Sequence, residues 1–168
     1  PSRLEGTVQD VSLPDELDAW IAESEKAADR RYGLLPGTEK RITWFGSRQP
    51  TEFAVVYLHG FSATRQETAP LAAAVATALG ANLFETRLTG HGRRNDALAG
   101  VRAEQWLQYA VEAIAIAARL GRRGIVIGTS TGATLAAATL DNPVMQSVDT
   151  IVMMSPNFEP RDDKAAWL

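Results

Sequence analysis

From residue 41 onward the chain alternates short apolar runs with longer stretches of helical periodicity, and no other feature constrains its fold as tightly. Residues 53–58 and 125–127 are continuously apolar, as strands buried on both faces are. Residues 41–45 alternate polar and apolar positions like a half-exposed strand, and residues 82–86 and 148–154 read as further strands. Between them, residues 66–79 predict a helix with Leu71, Val75 and Leu79 on one stripe. Residues 103–119 predict a second, with Leu107, Val111, Ile114 and Ala118 on one face, and residues 131–140 a third made of small residues. Strands alternating with helices of this length imply the α/β class. The sheet should be mostly parallel, covered by helices on both faces and joined by right-handed crossovers. In such sheets functional groups gather beyond the carboxyl ends of the strands.

Ahead of this core, residues 1–10 are polar. Ser12 is suited to cap a helix, with Pro14 in its first turn and Asp15 and Glu16 beside its positive end. Leu17, Trp20 and Ile21 recur at helical spacing; the helix should end near Gly33, and Pro36-Gly37 marks a turn. The expected organisation is an N-terminal helical extension over residues 1–40, a core over 41–160, and the opening of a lid or cap segment over 161–168.

The apolar run 125–127 leads directly into Gly128-Thr129-Ser130-Thr131-Gly132, and a helix follows. Gly-x-Ser-x-Gly between a strand and a helix has a mechanical reason: the serine sits at the apex of a tight, strained turn. Side chains at the two flanking positions would strike the neighbouring strand and helix. The helix start also aims free N–H groups and a positive dipole end at the serine. The plain alternative is a glycine-rich turn capped by serine; the strand before and the helix after argue against it.

Two further motifs complete the pattern. Residues 53–58 run into His59-Gly60-Phe61-Ser62, and the next strand runs into Glu85-Thr86-Arg87-Leu88-Thr89-Gly90-His91-Gly92-Arg93. Together with the serine turn, and with Ser155-Pro156 after the last strand, these resemble the α/β-hydrolases, most closely the carboxylesterases and monoacylglycerol-lipase-like enzymes with a small lid. The resemblance covers about residues 41–160. It implies a three-layer α/β-hydrolase fold, incomplete at the C-terminus, with Ser130 as nucleophile and Gly128 and Gly132 shaping its turn. It implies an oxyanion hole made by the backbone N–H groups of Phe61 and Thr131, with His59 and Gly60 supporting the loop. His91 is expected to be structural, and the Phe61 ring either to line an acyl pocket or to pack in the core. Arg87, Arg93 and Arg94 are expected to be solvated or paired with local carboxylates such as Asp96; binding of an acidic substrate is the other use open to them.

The implied activity is hydrolysis of a small-molecule carboxylic ester through an acyl-enzyme, with no cofactor and no metal. The formal charge of −3 and a pI near 5.4 give no reason to expect nucleic-acid binding. The absence of cysteine excludes disulfides, thiol catalysis and thiolate metal sites. No basic-then-apolar signal segment opens the chain, which favours a cytoplasmic setting. Pro1 stands first rather than methionine, so removal of a signal or anchor stays open.

In this fold the triad runs serine, acid, histidine. His59 and His91 both precede Ser130, and no histidine follows it. Asp141, Asp149, Asp162 and Asp163 do follow, but none stands after a recognisable later strand; Lys164 has no spacing that supports a Ser-Lys dyad. The acid and histidine are therefore expected beyond Leu168, in a C-terminal segment or second chain that completes the sheet. A different class of reading also stays open, a non-catalytic hydrolase-like module that binds a ligand or partner.

Overall fold

The computed structural model describes residues 11–94, 98 and 100–158. In chain order the elements are α1 (Leu17–Tyr32), β1 (Arg41–Thr43), β2 (Thr51–Leu58), α2 (Leu71–Leu79), β3 (Asn82–Glu85), α3 (Ala103–Leu120), β4 (Gly121–Thr129), α4 (Thr131–Ala138), a 3-10 turn over Pro143–Ser147, and β5 (Val148–Met154). The sheet order is β1-β3-β2-β4-β5. β1 lies antiparallel to β3, and every other neighbouring pair is parallel. This is the mostly parallel α/β sheet that the alternation predicts.

β2 runs through the centre, and Ala54–Leu58 is buried without a break. Alternate residues serve opposite faces. Ala54, Val56 and Leu58 join Phe84, Ile114 and Leu135 in one apolar cluster, while Val55 and Tyr57 join Ala72, Ala76, Leu83 and Ile127 in another. Helices α3 and α4 therefore cover one face and α2 the other. Leu17 and Ile21 of α1 belong to the same cluster as α3. A buried ion pair adds to this anchorage: Arg87 donates from Nε and Nη2 to the two oxygens of Glu25 at 2.8 and 2.7 Å.

Several local expectations need correction. Ser12 caps nothing: α1 starts at Leu17 with Glu16 at its N-cap. Residues 11–14 are non-helical, and Leu13 among them packs against the core. Residues 65–70 form turns, so α2 is shorter than predicted. Two residues of its predicted stripe also face outward, Leu71 and Leu79 at 40% and 43% exposure, while Val75 is half-buried against the core and Ala72 and Ala76 meet the sheet. Alanines allow a closer helix–sheet approach than leucines do. In α3, Leu107, Val111 and Ile114 are buried as predicted, but Ala118 is exposed, because the buried stripe turns through Ala110, Ala113 and Ala117. β4 extends well before residue 125, since Gly121 and Arg123 already pair with β2. Arg122 and Arg123 extend outward there, to Glu52 and Asp149 on the two flanking strands.

β5 forms one edge of the sheet, and among the described residues no strand pairs with its outer side. No helix among the described residues is long and apolar enough to cross a membrane.

Candidate active site

The carboxyl ends of β2 and β4 lie side by side, with Leu58 paired to Gly128. Ser130 follows at once, between β4 and α4, with φ 49° and ψ −114°. Positive φ is costly for a residue with a side chain and persists only where the surroundings enforce it. The enforcement is visible. The Ser130 N–H donates to Met154 O at 2.8 Å, and its carbonyl accepts from the Thr134 N–H at 3.0 Å and the Thr134 hydroxyl at 3.2 Å. The Asn157 N–H in turn donates to the Thr134 hydroxyl oxygen at 3.0 Å, tying the turn to the segment after β5. Ser62 and Ser155, just beyond β2 and β5, share the positive φ, so strain gathers along this one edge of the sheet.

The flanking glycines have no room for side chains. A Cβ on Gly128 would lie 2.7 Å from Ala133 Cα and N, inside the following helix. A Cβ on Gly132 would lie 2.1 Å from Leu58 O and 2.7 Å from His59 O. Backbone atoms cannot swing away, so the start of α4 can press on the end of β2 only with glycine there. Ala133 and Ala136 are buried beneath α4, while Ala138 is exposed.

His59 is fully buried. Its Nε2 accepts the Leu88 N–H at 3.0 Å, so the ring hydrogen of the neutral form resides on Nδ1 and is donated to Gly60 O at 2.9 Å. Burial pushes its pKa down to about 4, with the nearby His91 and Arg87 acting in the same direction. Both ring nitrogens are thus engaged by backbone. The Gly60–Phe61 peptide is trans, and in a trans peptide the N–H points opposite to the carbonyl. A Gly60 carbonyl held by the buried ring therefore turns the Phe61 N–H away from that ring. The preceding N–H, of Gly60, is taken by Glu67 Oε2 at 2.9 Å. Among the described residues nothing accepts from the N–H of Phe61 or Thr131, the latter being the first helical residue of α4.

His91 is also buried, with Nδ1 3.1 Å from Thr89 O and Nε2 without a partner among the described residues. Burial lowers its pKa as well. Its ring stands 4.9 Å from that of His59, and the Phe61 ring meets both His91 and Trp106 edge to face, at 6.1 and 5.8 Å. Phe61 is 46% exposed, so one side of its ring packs while the other stays open. Neither histidine bonds to the Ser130 hydroxyl.

The arginines divide. Arg87 is neither solvated nor free for a substrate: its side chain is 3% exposed and paired with Glu25, 62 residues away, because α1 folds back over this loop. Arg93 lies over the Tyr32 ring at 3.6 Å, and Arg94 is exposed. Asp96, Asp162, Asp163, Lys164 and the segment 161–168 lie outside the described residues.

Sequence reasoning missed Glu67 and Tyr57, whose hydroxyl lies 3.0 Å from Glu67 Oε2 and 3.1 Å from Thr129 Oγ1. No local pattern marks either residue; Tyr57 reads simply as part of an apolar strand. A cavity of about 430 Å³ lies elsewhere, between α1 and residues 34–40. Its carboxylates are already bonded, Glu25 to Arg87, Asp29 to the Leu34 N–H and Glu39 to the Gly37 N–H, and it contains none of the candidate residues.

No curated protein sequence matches the chain. Among solved structures, it resembles one from work on LipS and LipT, two metagenome-derived lipolytic enzymes, at 25% identity and a TM-score of 0.68, over 79% of this chain and 51% of that one. A Bacillus cereus carboxylesterase aligns at 19% identity and a TM-score of 0.45, over 76% and 64% of the two chains, too remote a likeness to carry an argument. The chain thus spans about half the length of the first of these and under two thirds of the second. The sequence profile of the alpha/beta hydrolase family matches residues 55–168, which is most of the chain. The chain belongs to the alpha/beta hydrolase family.

Proposed function

We propose that the protein is a serine hydrolase that cleaves carboxylic esters through an acyl-enzyme on Ser130. The observation that carries this reading is the backbone of Ser130, held at φ 49° between glycines that admit no Cβ. The structural likeness to a protein from work on lipolytic enzymes supports the same class.

In this reading the Ser130 hydroxyl attacks the acyl carbonyl. The carbonyl oxygen, as it gains negative charge, accepts from the N–H groups of Phe61 and Thr131. Donors of this kind are each worth about 2.7–4 kcal/mol of barrier, because they are already aimed when the charge appears. The alcohol leaves with a proton, and water then attacks the acyl-enzyme, releasing the acid and restoring Ser130. Proton transfer needs a base that reaches the hydroxyl. His59 cannot serve, since its Nε2 is occupied by the Leu88 N–H. The histidine and its carboxylate partner are assigned to sequence beyond Leu168. The open side of Phe61 is available to the acyl chain.

Hydrolysis of p-nitrophenyl esters by the intact protein tests this. Ser130→Ala should lower turnover by a factor on the order of 10⁴ to 10⁶; turnover that survives the substitution contradicts it. Among the described residues no base bonds to the Ser130 hydroxyl, which favours a second reading, a non-catalytic hydrolase-like module binding a ligand or partner. It requires Ser130→Ala to leave the biological effect intact.

A further inference from the structure

The geometry points to Glu67 as a positioning residue that ties the loop carrying Phe61 to the turn carrying Ser130; this rests on the hydrolase reading above. Its Oε2 accepts two hydrogens, the Gly60 N–H at 2.9 Å and the Tyr57 O–H at 3.0 Å. A carboxylate only accepts, so Tyr57 is the donor in that bond, and its oxygen is left to accept from the Thr129 hydroxyl, 3.1 Å away. The bonds thus run in one direction, from Thr129 through Tyr57 to Glu67, with Gly60 joining at the same oxygen. Thr129 immediately precedes Ser130, and Gly60 immediately precedes Phe61.

The arrangement matters because the two proposed oxyanion donors come from separate loops. His59 holds the Gly60 carbonyl from inside the core. Glu67 holds the Gly60 N–H from the other side of the residue. Both peptide groups around Gly60 are thereby pinned, and the Phe61 N–H beside them is left without an acceptor among the described residues. Tyr57, fully buried on β2, carries the link across to β4. Gly60 suits this role, because a Cβ there would stand 2.7 Å from Glu67 Oε1 and push the carboxylate away. Glu67 comes from the turn between β2 and α2, and its carboxylate bonds to Gly60 and Tyr57 rather than to Ser130. It acts on the reaction only through Gly60 and Tyr57. A loop displaced by 1 Å can cost about 100-fold in rate.

The test compares kcat and KM for p-nitrophenyl ester hydrolysis in intact protein carrying Glu67→Ala, Glu67→Gln, Tyr57→Phe, the Glu67→Ala/Tyr57→Phe pair, or Ser130→Ala. The bridge predicts a 10- to 100-fold lower kcat for Glu67→Ala with KM within about twofold. Glu67→Gln should recover most of the loss, because the amide oxygen can accept the same two hydrogens. The pair should fall no further than Glu67→Ala, since both substitutions cut one connection. If Glu67→Ala fails to fold, Tyr57→Phe carries the test with a loss of at least fivefold in kcat. Unchanged kcat in these variants while Ser130→Ala is inactive overturns the positioning role and leaves the hydrolase reading standing. Glutamine as slow as alanine also overturns it. Full activity in Ser130→Ala instead overturns the hydrolase reading, and the bridge with it.

Discussion

Gly132 lies so close to the end of β2 that a Cβ on it would stand 2.1 Å from the Leu58 carbonyl oxygen. This approach brings the first turn of α4 against the strand that leads into His59 and Phe61. Backbone packing thereby holds a serine turn against a loop from a different strand, alongside the hydrogen bonds of Glu67 and Tyr57.

Gly132→Ala should therefore be more damaging than an ordinary surface or core substitution. The obstacle is backbone on a central strand, so either α4 or the end of β2 must shift. The expected cost exceeds about 3 kcal/mol, above the usual range for overpacking. It would appear as a lower urea midpoint at unchanged m-value. An unchanged midpoint would show that the two elements part easily.

His59 gives stability a pH dependence of known sign. Its pKa is about 4 in the folded protein against 6.5 when free. Between those values the unfolded chain binds more protons, so this contribution is fully present above pH 6.5 and is lost as pH falls toward 4. One group shifted this far contributes about 3 kcal/mol over that window. His91, shifted in the same direction by burial, adds to it. Urea unfolding of the wild type and His59→Gln from pH 7 to pH 4 checks this: the variant should have the flatter profile. Equal slopes would mean that the ring is not held neutral by the fold.

The Arg87–Glu25 pair should behave as a structural lock. Removing one partner strands a charge in a site where both side chains are under 7% exposed, 3% and 6%. Glu25→Gln should cost about 3 kcal/mol. Glu25→Met with Arg87→Met should lie closer to wild type than either single substitution, since no charge is then left alone. Losses that simply add would contradict a coupled pair. Esters with anionic and neutral acyl groups should be processed in the same ratio by wild type and the double variant, because Arg87 faces α1.

The core strands and the serine turn were legible because their signals are local. Residues 53–58 and 125–127 can be little else than buried strands, and glycines two residues either side of Ser130 announce a sharp turn. The orientation of α2 was not legible: Leu71–Leu79 is apolar nearly all round, so periodicity cannot tell which side meets the sheet. The fate of Arg87 depends on Glu25, far away in sequence, and no pattern within its own loop reports a partner on α1. Glu67 was invisible for a related reason. Its importance lies in two donors brought to it by folding, and a lone glutamate in a polar loop carries no such mark.

An acyl-enzyme on Ser130 requires its hydroxyl to be an activated nucleophile. Treatment of the intact, folded protein with a fluorophosphonate probe, followed by peptide mass spectrometry, measures that directly. One adduct per chain on Ser130, absent in Ser130→Ala, is the predicted result. An intact protein that stays unlabelled, or is labelled at another residue, would contradict it.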